Sequence, residues 1–235
     1  IPHMVQERIS RPVGAVVFPA LSKIQDDNEK LAQGYIQAVK YVSLISFPLL
    51  FGLAAVADVA VPVLWGEQWL AVITPLRVLC LSAALKIAFQ PLGAIYNCKN
   101  RPDIPFKISI ITLIWTILVV GFLGYQFGII GVASGMVVSV LPSFYFLNHA
   151  FKMIDQNSWD IAKEIWPVVL CSGLCGLSAY FSSIIFYDQL DSMILSLTSS
   201  VLIGALIYVA SFYLLFPRIV KSAFSQIGVM IGRKQ

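Results

Sequence analysis

The sequence predicts an all-α fold, a polytopic membrane helical bundle of about seven transmembrane helices, from three observations. Of the 235 residues, 58% are hydrophobic and only 12% are charged, whereas a soluble domain carries about a quarter charged residues. The apolar residues fall in stretches of roughly 20, the length of a helix that crosses about 30 Å of hydrocarbon. Most of the basic residues lie in every second connection between these stretches.

Six stretches are long enough to span a membrane without help. They occupy about residues 42–65, 71–96, 108–127, 129–148, 165–187 and 193–216. A shorter opening stretch, at about 3–21, is a seventh span if its polar start is tolerated. The chain begins with Ile1 rather than Met, so we interpret it as a C-terminal piece of a longer protein. Glu7, Arg8 and Arg11 argue against a cleavable signal peptide.

The basic residues predict the orientation of the bundle. Twelve of the sixteen lie in four segments, 22–41, 97–107, 149–164 and 217–235. The intervening turns, near 66–70, at 128 and at 188–192, carry none. Because Lys and Arg accumulate in cytoplasmic loops, the four segments and the C-terminus are predicted to face the cytoplasm.

Small residues predict where helices approach closely. Gly124, Gly128, Gly131 and Gly135 follow one another at intervals of three or four residues. Such spacing lets the backbones of membrane helices come together. It is common in bundles and indicates packing rather than a particular function.

Enzyme chemistry is not indicated by the sequence. Cys171 and Cys175 share a helix face, but no His or carboxylate accompanies them, so no metal site is predicted. There is no glycine-rich phosphate loop, GxSxG motif or acidic cluster for magnesium. The predicted outer loops are too short to carry the site of a polymerase or ligase. We therefore expect a carrier, channel or structural bundle, without cofactor, metal or nucleic-acid partner.

Four motifs in order cover about residues 8–150 and resemble one family. They are RPVGAVVFPALSKIQDD, the hairpin from ISFPLLFG to ITPLRVLCLSA with its outer Gly66 and Trp69, QPLGAIYNCKNRPDIPFK, and GIIGVASG. Each is similar to a stretch of polysaccharide exporters. The chain thus resembles the polysaccharide transport branch of the MOP flippase superfamily, of the Wzx and colanic-acid-exporter type.

The resemblance implies a fourteen-helix transporter of two lobes that works by alternating access. Residues 1–150 would correspond to helices 8–12, and residues 151–235 to two further transmembrane helices and a cytoplasmic tail. The implied cargo is an undecaprenyl-diphosphate-linked oligosaccharide, flipped across the bacterial inner membrane for lipopolysaccharide or exopolysaccharide synthesis. Membrane lipids and polysaccharide polymerase machinery are the other implied partners. A multidrug antiporter, a peptidoglycan-precursor flippase and an envelope glycan polymerase or ligase remain as alternatives.

The opening stretch carries the first candidate site residues. Arg8 and Arg11 are candidate substrate-binding residues, because the planar fork of arginine binds phosphate oxygens in pairs. Glu7 lies four residues before Arg11, where it can pair with it, and is a candidate ion-coupling residue. The alternative is that residues 1–11 form an outer loop or interfacial stretch.

Three more charges lie within the predicted spans, where a charge costs about 2.5–3.5 kcal/mol on insertion scales. Lys86 is a candidate substrate-binding residue, or pairs within the bundle. Arg77 either binds substrate in a cavity or anchors the helix at the interface. Asp58, before Pro62, is a candidate ion-coupling residue or has a structural role.

Overall fold

The computed structural model describes residue 19, residues 21–189 and residues 193–216, with side chains up to 185 and from 193. This part of the chain forms eight α-helices and one 3₁₀ helix, with no strand among its residues. The helices are α1 (Asn28–Ala55), α2 (Ala57–Trp65), the 3₁₀ helix (Glu67–Val72), α3 (Ile73–Ile87), α4 (Leu92–Cys98), α5 (Asp103–Val138), α6 (Leu141–Met153), α7 (Trp159–Gln189) and α8 (Met193–Leu215). The all-α prediction is confirmed.

Five helical stretches in the described part are long and apolar enough to cross a membrane. They are Asn28–Ala55, Glu67–Cys98, Asp103–Met153, Trp159–Ile185 and Met193–Leu215. Asp103–Met153 has 51 residues and contains two of the predicted spans. The predicted opening span, about 3–21, lies almost wholly outside the described residues, so a total of about seven spans stays a prediction.

Helix α5 is a hairpin of two arms, 103–127 and 129–138, which meet at Gly128. Gly128 has φ 60° and ψ −140°, a conformation that a side chain would oppose. Beyond this turn the second arm runs back along the first. The Trp115 indole on the first arm donates a 3.3 Å hydrogen bond to the Val138 carbonyl at the end of the second. The turn predicted at residue 128 is therefore present.

Helix α1 lies at the centre of the bundle, between α3 and α7. It runs parallel to α7, as two contacts show. The Lys40 ammonium pairs with Glu164, and eleven and twelve residues further along the two helices Phe51 lies against Gly176. Helix α8 packs mainly on α7 and also contacts α1, where the Tyr208 hydroxyl donates a 2.8 Å hydrogen bond to the Leu44 carbonyl. Helix α5 packs on the side of α3 that faces away from α1.

Helix α3 runs antiparallel to α1. Near the start of α1, the Tyr35 hydroxyl donates a 2.5 Å hydrogen bond to the carbonyl of Ala88. Near its end, Arg77 donates to the carbonyl of Ala54. Tyr35 and Arg77 thus connect α1 to the α3 segment at opposite ends of the bundle.

Three of the four basic segments predicted to be cytoplasmic, 22–41, 97–107 and 149–164, gather at one end of the bundle, and the fourth, 217–235, lies outside the described residues. Lys99 donates a 2.7 Å hydrogen bond to the carbonyl of Gln25, which joins segments 22–41 and 97–107. Tyr35 packs edge-on against Phe151, with ring centroids 5.4 Å apart, which joins segment 149–164 to them. The structure groups these connections as the charge pattern predicts, whereas the side of the membrane that they face stays a prediction.

The described structure differs from the predicted spans at several places. The predicted span 71–96 is interrupted between Ile87 and Leu92, and 129–148 is interrupted between Val138 and Leu141. The span at 42–65 is predicted to begin at about residue 42, but its helix, α1, begins at Asn28. Asp27 caps this helix by accepting a hydrogen bond from the Lys30 backbone. The predicted span 42–65 is also broken at Val56, between α1 and α2. The basic connector and the first part of the apolar span thus form one continuous helix, α1.

Candidate functional site

Lys86 lies one residue before the end of α3 and lines a cavity of about 390 Å³ enclosed by α3, α4, α5 and α6. Its side chain is partly buried. Within the described part of the chain, its ammonium group has no hydrogen-bond or salt-bridge partner. Lys86 therefore presents its three N–H donors to this cavity.

Hydroxyl groups form much of the polar wall around Lys86. Ser109, Thr112 and Thr116 lie three and four residues apart on the first arm of α5, so they share one face of that helix. Ser139 and Ser143 face them from the start of α6 and the residues before it. We name this space, lined by Lys86 and the five hydroxyl residues, the hydroxyl cavity.

The hydrogen bonds of these hydroxyls show what the cavity can bind. Ser109 donates to the Pro105 carbonyl at 2.9 Å, and Thr112 donates to the Ile108 carbonyl at 2.8 Å. Because these protons point back to the helix, the hydroxyl oxygens remain available as acceptors. A cation beside such acceptors suits a ligand with an anionic group and hydroxyl groups of its own.

The depth of the hydroxyl cavity follows from its position along α5. Ser109 and Thr116 lie six and thirteen residues after Asp103, or roughly 9 and 20 Å along the helix. The cavity therefore lies within the apolar thickness of the bundle. This placement agrees with the expectation that Lys86 faces the bundle interior or water, whereas its predicted role in binding substrate stays a prediction.

Arg77 of α3 forms a salt bridge with Asp58 of α2, which lies just after the break between α1 and α2. Arg77 Nε also donates a 3.1 Å hydrogen bond to the Ala54 carbonyl, which lies just before the break at Val56. One side chain thus neutralises Asp58 and holds the chain on both sides of the break. The sequence indicated both charges but not that they are partners.

The salt bridge lies apart from the hydroxyl cavity. Arg77 precedes Lys86 by nine residues on α3, which is roughly 13 Å along the helix. The described structure therefore does not bring Lys86 and Arg77 into one site. The substrate-binding role predicted for Arg77 and the ion-coupling role predicted for Asp58 stay predictions.

We expect Arg77→Gln to destabilise the protein by about 1 kcal/mol, because the pair is half exposed. Thermal unfolding in detergent measures the stability of Arg77→Gln, Asp58→Asn and the double variant, which together form a double-mutant cycle. Asp58→Asn in the Arg77→Gln background should cost less than it does alone. Strictly additive effects would show that the two side chains are energetically independent.

The remaining candidates lie outside the described residues. These are Arg8, Arg11 and Glu7, so their predicted roles stay predictions. The Gly66–Trp69 turn, which was predicted to face outward, is among the described residues. Gly66 has φ 90°, which favours glycine, and its carbonyl accepts a 3.1 Å hydrogen bond from the Trp69 backbone.

The hydroxyl residues Ser109, Thr112, Thr116, Ser139 and Ser143 were not predicted from the sequence. Their signal was present as spacing, since hydroxyls at positions 109, 112 and 116 repeat on one face of an otherwise apolar helix. Serine and threonine in membrane helices usually bond to their own backbone. Only the position of α3 shows that this face meets a lysine.

Comparison with known proteins agrees with the similarity of the four motifs to polysaccharide exporters. Residues 1–74 match the model of a family described as "Polysaccharide biosynthesis protein". An "uncharacterized membrane protein in cps region" of Klebsiella pneumoniae is 33% identical over 144 residues, which are 60% of this chain and 30% of that protein. The lipopolysaccharide biosynthesis protein WzxC of Escherichia coli K12 is 37% identical over 136 residues, 56% of this chain and 28% of WzxC.

A more distant relative matches almost the whole chain. The probable low-salt glycan biosynthesis flippase Agl15 of Haloferax volcanii is 19% identical over 220 residues, 93% of this chain and 46% of that protein. The chain thus spans less than half the length of these curated relatives. No solved structure matches it. The motifs, the all-α membrane bundle and these relatives all support the resemblance of the chain to the polysaccharide flippase family.

Proposed function

We propose that this chain is part of a flippase that moves an undecaprenyl-diphosphate-linked oligosaccharide across the cytoplasmic membrane. The observation that carries this proposal is the hydroxyl cavity, in which Lys86, without a partner in the described part of the chain, lines the same space as five hydroxyl side chains. A diphosphate joined to a sugar has the matching groups, namely anionic oxygens for Lys86 and hydroxyl donors for the serines and threonines.

The cavity would bind the headgroup during its passage by alternating access. A diphosphate in hydrocarbon has lost its water, so it needs a cation and donors at membrane depth. Lys86 supplies the charge, and the flexible stem of lysine lets the ammonium follow a moving phosphate. Acceptor hydroxyls exchange partners easily, which suits a site that must bind and release the same sugar.

The orientation that we propose places the basic end of the bundle and the C-terminus in the cytoplasm. Cysteines introduced at Gln68, Asn100 and Asp155 in a cysteine-free background test it, since all three side chains are exposed. A membrane-impermeant maleimide applied from outside should label position 68, while positions 100 and 155 should react only after the membrane is opened. Labelling at 100 or 155 from outside would reverse the proposed topology.

The function itself is tested by deleting the complete gene and analysing the lipid-linked intermediates. Oligosaccharide on undecaprenyl diphosphate should accumulate on the cytoplasmic face, and surface polysaccharide should be lost. The accumulated lipid should become accessible to external glycosidases again when the gene is restored.

Other outcomes would contradict the proposal. Loss of polymer length alone, with normal appearance of lipid-linked repeats outside, would indicate a polymerase. Accumulation of peptidoglycan precursor would indicate the peptidoglycan flippase, and increased drug sensitivity with normal polysaccharide would indicate a multidrug antiporter.

A further inference from the structure

A second cavity of about 570 Å³ lies beside the hydroxyl cavity and is almost wholly apolar. Helices α1, α3, α6 and α7 enclose it. Its walls are aromatic and aliphatic, with Phe47, Phe51, Leu85, Ile165 and Trp166 among the lining residues. We name this space the apolar cavity.

The two cavities share one wall. The side chain of Phe89 lines both of them. On the apolar side it packs edge-on against Phe144, with ring centroids 4.8 Å apart. Ser143, the neighbour of Phe144, lines the hydroxyl cavity instead. Phe89, packed against Phe144, thus forms the wall between a cationic, hydroxyl-lined space and an apolar one.

We infer that the two cavities together bind one amphiphile, with its diphosphate at Lys86 and the adjoining part of its polyprenyl chain in the apolar cavity. The inference rests on the proposed function and extends it from the headgroup to the tail. The order of the groups in a polyprenyl diphosphate, phosphate first and isoprene units next, matches the order of Lys86, Phe89 and the apolar walls. The Phe89–Phe144 pair lies where the charged and apolar parts of the ligand meet.

The lining of the apolar cavity favours a hydrocarbon chain as its occupant. Among its seventeen lining residues only Asn148 and Ser158 have polar side chains other than tryptophan. A peptide segment would bury backbone groups there without partners, which is costly in an apolar environment. Trp159 and Trp166 line the cavity yet are 71% and 59% exposed in the described structure, so the cavity is open on the α7 side of the described bundle.

The apolar lining beside Lys86 distinguishes the carried lipid from ordinary phospholipid. In a phospholipid, polar ester groups lie between the phosphate and the tails, whereas in a polyprenyl diphosphate the isoprene chain follows the diphosphate directly. Only Asn148 and Ser158 could serve such ester groups in the apolar cavity, so the second arrangement fits it better. We therefore commit to the polyprenyl chain, and a resident phospholipid is the competing outcome.

The experiment uses the protein expressed from its complete gene, reconstituted in phospholipid nanodiscs. The probe is a polyprenyl diphosphate with a photoreactive diazirine in its chain, and mass spectrometry locates the labelled peptides. Label is expected on α3 and α7 beside Phe89 and Ala162. Excess undecaprenyl diphosphate should remove this label, and excess phosphatidylglycerol should not.

Ala162→Trp tests the apolar cavity directly. Ala162 lines the cavity but is exposed, so a larger side chain fills the space without entering the core. Labelling on α3 and α7 should fall about tenfold, since several methylene contacts are lost. Ala162→Leu should have an intermediate effect. Leu177→Trp is the matched control, because Leu177 is exposed on the same helix and lines none of the cavities described here.

The outcomes separate this inference from the proposed function. Equal competition by phosphatidylglycerol, or unchanged labelling and export in Ala162→Trp, would overturn the tail site while leaving the flippase proposal intact. Failure of the gene deletion to accumulate lipid-linked oligosaccharide would overturn the proposed function whatever the labelling shows. A normal unfolding temperature for Ala162→Trp is required for its loss of labelling to support the inference.

Discussion

Gly131→Ala is expected to prevent the α5 hairpin from closing and to remove most of the folded protein. A Cβ atom at position 131 would lie 1.9 Å from the carbonyl oxygen of Leu123 on the opposite arm. Backbone cannot yield as a flexible side chain can, so the two arms must separate. We expect a cost of about 3 kcal/mol or more, the upper end of overpacking effects. Abundance in the membrane and the unfolding temperature in detergent measure it.

Gly121→Ala is the matched control for this prediction. Gly121 lies on the first arm of the same hairpin, and an added Cβ there meets no atom within 4 Å. Alanine at this helical position should leave stability unchanged or raise it by about 0.5–1 kcal/mol. Normal abundance and melting of Gly131→Ala would show that the arms do not pack as closely as described.

Lys86→Leu is expected to lower export of the lipid-linked oligosaccharide about tenfold or more, the value of one charge-assisted hydrogen bond. Leucine is shorter than lysine but favourable in a membrane helix, so the bundle should retain its stability. Lys86→Arg should retain more export, because it keeps the positive charge. Transport of labelled lipid-linked oligosaccharide into the outer leaflet of vesicles measures the effect.

Ser82 offers a control beside Lys86. It is buried on the same helix and donates a 2.9 Å hydrogen bond to the Met136 carbonyl, but it does not line the hydroxyl cavity. Ser82→Ala should alter stability slightly and leave export near the wild-type rate. Wild-type export by Lys86→Leu at equal protein abundance would remove Lys86 from the binding site.

Lys86 differs from Asp58 and Arg77, the other charged candidates among the described residues, in whether it has a partner of opposite charge. Asp58 and Arg77 cancel each other and bridge a helix break, so the structure already accounts for them. Lys86 has no such partner in the described part of the chain. A lone charge at membrane depth is costly, and a ligand of opposite charge supplies the compensation that the bundle lacks.

The sequence by itself determined the class of the fold and much of its topology. Apolar stretches of fixed length predicted the helices, because backbone groups in hydrocarbon must bond within their own segment. The positions of the lysines and arginines predicted which connections share an end, and Lys99 and Gln25 do meet there. The turn at residue 128 was also predicted, since the stretch around it is too long for one crossing. These properties depend on local composition and length.

The tertiary structure alone decided which residues meet. Asp58 and Arg77 are nineteen residues apart, and nothing in the spacing identifies them as partners. The hydroxyls of α5 acquire meaning only because α3 places Lys86 opposite them, and Phe89 separates two cavities only because α6 brings Phe144 against it. In a membrane most helix faces are apolar whether they meet lipid or protein, so hydrophobic periodicity does not encode helix packing. Close packing of small residues and complementary side chains determines instead which helices lie side by side.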